Sequence, residues 1–197
     1  MSRAAAGDAR HTLVRYYRWL RQHGLNDSHS GNASLREGDL AWVTPTGCSA
    51  DTLEVDDLLA CRLDRPAPSG ASLDAPLHLA VYRARPEATA VLHSHGPHSI
   101  AMTLAGGDFL PADFEGRYYF RTVPVLDIPP DQYTGRSPDE VAAVLAQHRV
   151  CVVRGHGVYA AGETLDLAYK WTCSLESSAR IAWLARVAGI DVDASGQ

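Results

Sequence analysis

The stretch ATAVLHSHGP (88–97) decides the fold. Ala88 to His95, with Ala90, Val91 and Leu92 at its centre, reads as a buried strand, and Gly96-Pro97 ends it. Residues two apart on a strand project from the same face, so His93 and His95 present their imidazoles together, about 7 Å apart by strand rise. The strand stops immediately after them, which puts both rings at the end of a sheet, where a site can open to a ligand.

Downstream, Val150 to Arg154 reads as a second strand, Gly155-His156-Gly157 as a turn and Val158 to Ala160 as a return strand. His156 is thereby placed to supply a third nitrogen. Three histidines with an open fourth position match a catalytic zinc site, whereas a structural zinc is normally closed by four ligands rich in cysteine. His11, His23, His29, His78, His98 and His148 read as solvent-facing or locally bonded side chains.

The rest of the chain supplies a frame of helices and strands. Asp8 to Gln22 is amphipathic, with Leu13, Tyr16, Tyr17 and Leu20 at helical spacing and a stop at Gly24. A polar loop follows, then a short strand from Leu40 to Val43 and another from Leu58 to Leu63. Pro76 opens a helix that continues to about Arg83. Ser137, Pro138 and Glu140 resemble a capping box that starts a helix reaching about Gln147, and Glu163 to Val187 forms a long closing helix. The expectation is one α/β (α+β) domain over residues 8–190, a central, mostly antiparallel sheet flanked by helices. Residues 1–7 form a loosely held N-terminus and 191–197 a short tail.

Composition narrows the class further. With 197 residues, 46% hydrophobic and 21% charged, the chain sits in the globular range, and its length favours one core. The formal net charge of −5 supplies no basic face for nucleic acid or anionic membrane. The four cysteines, Cys48, Cys61, Cys151 and Cys173, are far apart and form no CxxC pair, which fits a reducing compartment. No stretch approaches the roughly 18 apolar residues of a membrane span, and the N-terminus carries charges where a signal peptide would be apolar, so a cytoplasmic location is expected.

Two more loops carry polar chemistry. Ser30-Gly31-Asn32-Ala33-Ser34 and Thr44-Pro45-Thr46-Gly47 offer backbone amides and hydroxyls, and with Ser72 they could cradle a phosphate monoester by neutral donors.

Read in order, SGNAS (30–34), TPTG (44–47), Asp74 just ahead of PLHLAVYRARP (76–86), HSH (93–95) and RGHGVYAAG (154–162) resemble the class II aldolase and adducin head family. The likeness runs from about His11 to Gly189. It implies a zinc-dependent enzyme acting on phosphorylated ketoses or aldol-type substrates, commonly a homotetramer with sites between subunits. By this resemblance His93, His95 and His156 hold one Zn²⁺ or another divalent ion per subunit, and Asn32, Thr46, Gly47 and Ser72 fall on phosphate-binding positions.

Departures from the family pattern bear on the reaction. Fuculose-phosphate-type aldolases place a glutamate acid/base after two serines, where this chain has Ser72-Leu73-Asp74. An aspartate there resembles the ribulose-phosphate 4-epimerases, but their later acid is replaced by Arg121-Thr122-Val123. Glu115 falls near the acid/base of methylthioribulose-phosphate dehydratases. The tail tyrosine of fuculose-phosphate aldolases has no counterpart. The resemblance implies reversible aldol cleavage of a ketose 1-phosphate, a pentulose phosphate such as 5-deoxy- or 5-methylthioribulose 1-phosphate or else fuculose 1-phosphate, to dihydroxyacetone phosphate and an aldehyde, with Asp74 or Glu115 moving the proton. Dehydration, 4-epimerisation and a noncatalytic adducin-like module are the alternatives.

Overall fold

The HSH strand lies at the centre of a seven-stranded sheet. In chain order the strands are β1 (Asn32–Glu37), β2 (Leu40–Val43), β3 (Leu59–Arg62), β4 (Ala90–Ser94), β5 (Val125–Leu126), β6 (Val150–Val153) and β7 (Gly157–Gly162), and in space they run β3-β2-β1-β4-β7-β6-β5. Every neighbouring pair is antiparallel except β5 and β6, so the mostly antiparallel single domain expected from the sequence is what forms. The computed structural model describes residues 8–192. The expected loose N-terminus, and the tail from 193 onward, lie outside them. Among the described residues no helix is long and apolar enough to cross a membrane.

Side-chain alternation sorts the helices onto the two faces. On β4, Val91 packs into a core with α2 (Ala75–Ala84) and α5 (Tyr133–Leu145), while Ala90 and Leu92 point the other way, into a core with α1 (Ala9–Gln22) and the start of α6 (Leu165–Val187). A third core joins the middle of α6 to the outer faces of β6 and β7. The helix α1 begins at Asp8, whose carboxylate accepts from the Arg10 amide, and α6 begins at Thr164, whose hydroxyl accepts from the Leu167 amide.

Three local readings are corrected. The SGNAS segment is not all loop, because Asn32 opens β1, and its polar side chains are buried with partners instead of left in solvent. The capping-box start at Ser137 is not used: α5 begins at Tyr133 after a 3₁₀ turn at Pro130–Gln132, and Pro138 lies inside it. A proline one turn in costs a single hydrogen bond, to the Thr134 carbonyl, and the added first turn gains the anchoring of Tyr133. The return strand is longer than expected, Gly157–Gly162, and the short helices α3 (Pro97–Thr103) and α4 (Phe114–Phe120) leave too brief a periodicity to be read.

Beneath the sheet's α2 face lies a buried polar relay. Ser34 Oγ is 2.6 Å from the Tyr82 hydroxyl and 2.7 Å from His78 Nδ1, and His78 Nε2 has no partner. Burial drives the His78 pKa down to about 4, against the opposing pull of Asp74. The folded state therefore binds its proton less readily than the unfolded chain does. His78 contributes no pH penalty above about 6.5 and destabilises the fold as pH falls toward 4, by about 2 kcal/mol at pH 5. Urea titrations at pH 7 and pH 5 should show the wild type losing about that much more stability than His78→Leu. Parallel losses in the two proteins would refute it.

Candidate active site

The register of three central strands builds the site. Asn32 on β1 pairs with His93 on β4, and His93 pairs with Tyr159 on β7, so these three side chains form one row across the sheet. The row lies on the face covered by α2 and α5, because His93 follows Val91 by two residues. Asp74, at the N-terminal end of α2, sits over it and is 5% exposed. As a helix N-cap residue Asp74 could bond the free amides, but its side chain caps none of them. Instead its carboxylate accepts from Asn32 Nδ2 at 2.8 Å, from the Tyr159 hydroxyl at 2.9 Å and from the Tyr133 hydroxyl at 2.6 Å. Its Oδ2 lies 3.9 Å from His93 Nε2.

Burial by itself would raise the Asp74 pKa; the neighbouring His93 and the donors Tyr133 and Asn32 overcome it and hold the carboxyl down at about 2. Burial and the adjacent carboxylate push both tyrosines above the ordinary phenol range, so they stay protonated as donors. Asp74 is thus an ionised carboxylate fixed by three neutral hydrogen bonds.

His93, His95 and His156 converge beside it, their ligand atoms all within 4.8 Å of one another. The Nε2 atoms of His93 and His95 are 2.9 Å apart, and His93 Nδ1 lies 3.0 Å from the Val158 carbonyl, which fixes the ring with Nε2 toward the other two. Burial lowers the pKa of all three, leaving neutral imidazoles with free lone pairs. The donor set fits a divalent ion: His156 Nδ1 is buried without a partner, and one ring nitrogen from each of the three histidines lies within 4.8 Å of the others. Two glycines permit this crowding. A Cβ at Gly157 would lie 2.7 Å from both His93 Cε1 and His95 Cδ2, and one at Gly31, where φ is +69°, would lie 2.5 Å from the His93 carbonyl.

A cleft of about 770 Å³ opens over the row and the trio. Asn32, Thr46, Gly47, Ser72 and Asp74 all line it, with His93, His95 and His156. Ser72 Oγ accepts from the Asp74 amide at 3.2 Å, and Thr46 and Gly47 are exposed at the mouth. Asn32 carries more than the sequence suggests, since one of its amide hydrogens is committed to Asp74. Glu115 does not join them. It occupies the exposed first turn of α4, outside the cleft lining of its own chain, between Phe114 and Tyr118, which are 79% and 75% exposed. Tyr133 and Tyr159 were the residues missed. Tyr159 stands in the RGHGVYAAG motif, but its contact with Asp74 depends on strand register, and Tyr133 opens a helix whose apparent start signal, Ser137-Pro138, lies one turn further on.

A family model, the Class II Aldolase and Adducin N-terminal domain, matches residues 11–183. The chain belongs to that family. Its relatives include the 5-methylthioribulose-1-phosphate/5-deoxyribulose-1-phosphate aldolase of Rhodospirillum rubrum, 28% identical over 180 residues, covering 88% of this chain and 80% of the relative. An L-ribulose-5-phosphate 4-epimerase of Salmonella paratyphi B is 29% identical over 184 residues, covering 85% and 80%. Among solved structures, the L-fuculose-1-phosphate aldolase of Thermus thermophilus superposes with a TM-score of 0.85 at 33% identity, over 91% of this chain and 96% of that one. As a class II aldolase-family enzyme the chain is of the metal-dependent type, with a three-histidine cluster suited to a divalent ion.

Proposed function

We propose that the protein is an aldolase that reversibly cleaves a ketose 1-phosphate, a pentulose phosphate or fuculose 1-phosphate, to dihydroxyacetone phosphate and an aldehyde. The observation that carries this reading is the ionised Asp74, fixed by Asn32, Tyr133 and Tyr159 beside the histidine trio at the floor of one cleft.

In this reading His93, His95 and His156 hold one divalent ion, Zn²⁺ by donor type. When bound, such an ion supplies Lewis-acid stabilisation of the charge that develops on the substrate oxygens. Asn32, Thr46, Gly47 and Ser72 orient the phosphate through neutral donors. Asp74 takes the proton of the C4 hydroxyl. That oxygen's electron pair forms the aldehyde carbonyl, the C3–C4 bond breaks with its electrons left on C3, and a proton returned to C3 completes dihydroxyacetone phosphate. Tyr133 and Tyr159 orient Asp74 and remain protonated.

A homotetramer in the cytoplasm is part of the same reading. Phe114 and Tyr118 on α4, and Trp183, Leu184 and Val187 at the end of α6, are large apolar side chains left exposed in one copy. Such a face would bring Glu115 to a neighbouring subunit, which is the specific ground for the alternative of methylthioribulose-phosphate dehydration. Epimerisation has less support, because Arg121-Thr122-Val123 offers no carboxylate in the region where the resembling epimerases place their second acid. Retention of all three histidines disfavours the noncatalytic module.

Product analysis tests the proposal. Metal-reconstituted protein incubated with a panel of pentulose 1-phosphates should release dihydroxyacetone phosphate. A dehydrated product that retains all its carbons, or an epimer at C4, would replace the aldolase reading by one of its rivals.

A further inference from the structure

His95 lies just past the end of its strand. The ladder between β4 and β7 closes one residue earlier, with Ser94 opposite Val158. The His95 amide turns instead to the segment that follows α1, donating to the Leu25 carbonyl at 2.8 Å and to Asn26 Oδ1 at 2.9 Å. Asn26 is 6% exposed, and its backbone is fixed where α1 ends. Gly24, at φ +72°, lets the Leu25 and Asn26 amides both reach the Leu20 carbonyl, at 2.8 and 3.2 Å. Only Oδ1 can accept from an amide, so the side chain has one orientation, with Nδ2 against Gly31. A Cβ at Gly31 would lie 2.8 Å from Asn26 Cγ, so that glycine makes room for this side chain as well as for the His93 carbonyl. Asp27 closes the rest of the loop on itself: its carboxylate accepts from the His29 and Ser30 amides, both at 2.8 Å, and its own amide donates to Ser30 Oγ at 3.0 Å.

Resting on the assignment of His93, His95 and His156 as ligands, we propose that Asn26 is a positioning residue of the metal centre: through the His95 amide it fixes the angle at which the second imidazole meets the first. The two rings are held differently. His93 is fixed at its own Nδ1 by the Val158 carbonyl, whereas His95 is aimed from its backbone. A ligand constellation works only when held to within about 0.5 Å or 10–20°. One hydrogen bond, to Leu25, would leave the residue-95 amide free to pivot about it; the second acceptor on Asn26 removes that freedom. The Leu25 carbonyl still satisfies the amide when Asn26 is replaced, so the loss falls on the angle and not on the fold. Asn26 Nδ2 is buried with no partner, so an amide side chain here costs stability, and the fold alone gives no reason for one. The His95 amide gives the reason.

Zn²⁺ affinity, read by competition with a chromophoric chelator, should fall about 10- to 100-fold in Asn26→Leu, the range typical when a group that orients a metal ligand is lost. Leucine has the shape of asparagine without the acceptor, so the metal-free variant should unfold at the wild-type urea concentration or above it. Asn26→Asp keeps an acceptor in the same place and should bind Zn²⁺ nearly as the wild type does. Loaded with Co²⁺, the wild type and Asn26→Asp should share one visible spectrum, and Asn26→Leu should depart from it. Wild-type Zn²⁺ affinity in Asn26→Leu overturns the inference, and so does a loss in Asn26→Asp equal to that in Asn26→Leu. Should Asn26→Leu not fold, Asn26→Ala takes its place under the same criteria. If neither folds, Asn26 serves the fold and the inference is overturned. Absence of Zn²⁺ binding by the wild type is a different failure: the histidine assignment itself then falls, and the role of Asn26 with it.

Discussion

Asp74→Asn should lower turnover at least about a hundredfold while leaving the metal in place. A positioned acid/base contributes about 10²- to 10⁴-fold, and among the described residues this carboxylate is the one buried acid that stands over the histidine trio within the cleft. Asparagine keeps the size and can still accept from Tyr133, so the three imidazoles should bind metal as before. What is lost is the capacity to take a proton. Steady-state kinetics alongside elemental analysis checks both halves. Glu115→Gln is the companion measurement. Normal turnover by Asp74→Asn with a dead Glu115→Gln would move catalysis to the α4 surface and bring the dehydratase reading to the front.

The second large effect is expected where no ligand atom is touched. The double variant His93→Ala, His95→Ala should lose metal outright, and Gly157→Ala should lose most of it with every imidazole intact. The added Cβ would meet the Ser94 carbonyl at 2.5 Å and two ligand rings at 2.7 Å, with backbone on one side and buried side chains on the other. Relief requires the rings to separate, and overpacking of this kind costs about 1–3 kcal/mol in a packed interior. Metal affinity should therefore drop far more than the folded content measured by circular dichroism. Full metal occupancy in the double variant would refute the ligand assignment, and full occupancy in Gly157→Ala would show that the rings have slack.

Much of this was legible in the sequence, and for identifiable reasons. The spacing of His93 and His95 is a local property of one strand, so their shared face follows from the period of two. Leu40–Val43 and the long last helix are likewise local patterns. Other features depend on partners far along the chain. Asn32 and Ser34 have turn-like chemistry, and only pairing with β2 and β4 makes them strand residues. The hydrogen bonds that fix Asp74 come from residues 42, 59 and 85 positions away, brought together by sheet register and by a helix that starts one turn before its apparent proline signal. Glu115 was named from a family position, and nothing in its own segment encodes where α4 would carry it.

The smallest strand in the sheet has a use in protein engineering. With two residues, Val125 and Leu126, β5 is held at the sheet's margin by pairing with β6 alone, and the 127–130 segment hangs from it. Grafting a different sequence into 127–130 would reach the site, because Ile128 is buried in the core with α2 and α5 and the segment leads into Tyr133, which donates to Asp74. A loop library at this margin therefore keeps Ile128 and the turn into Tyr133 and varies Asp127, whose exposed carboxylate pairs with Arg154.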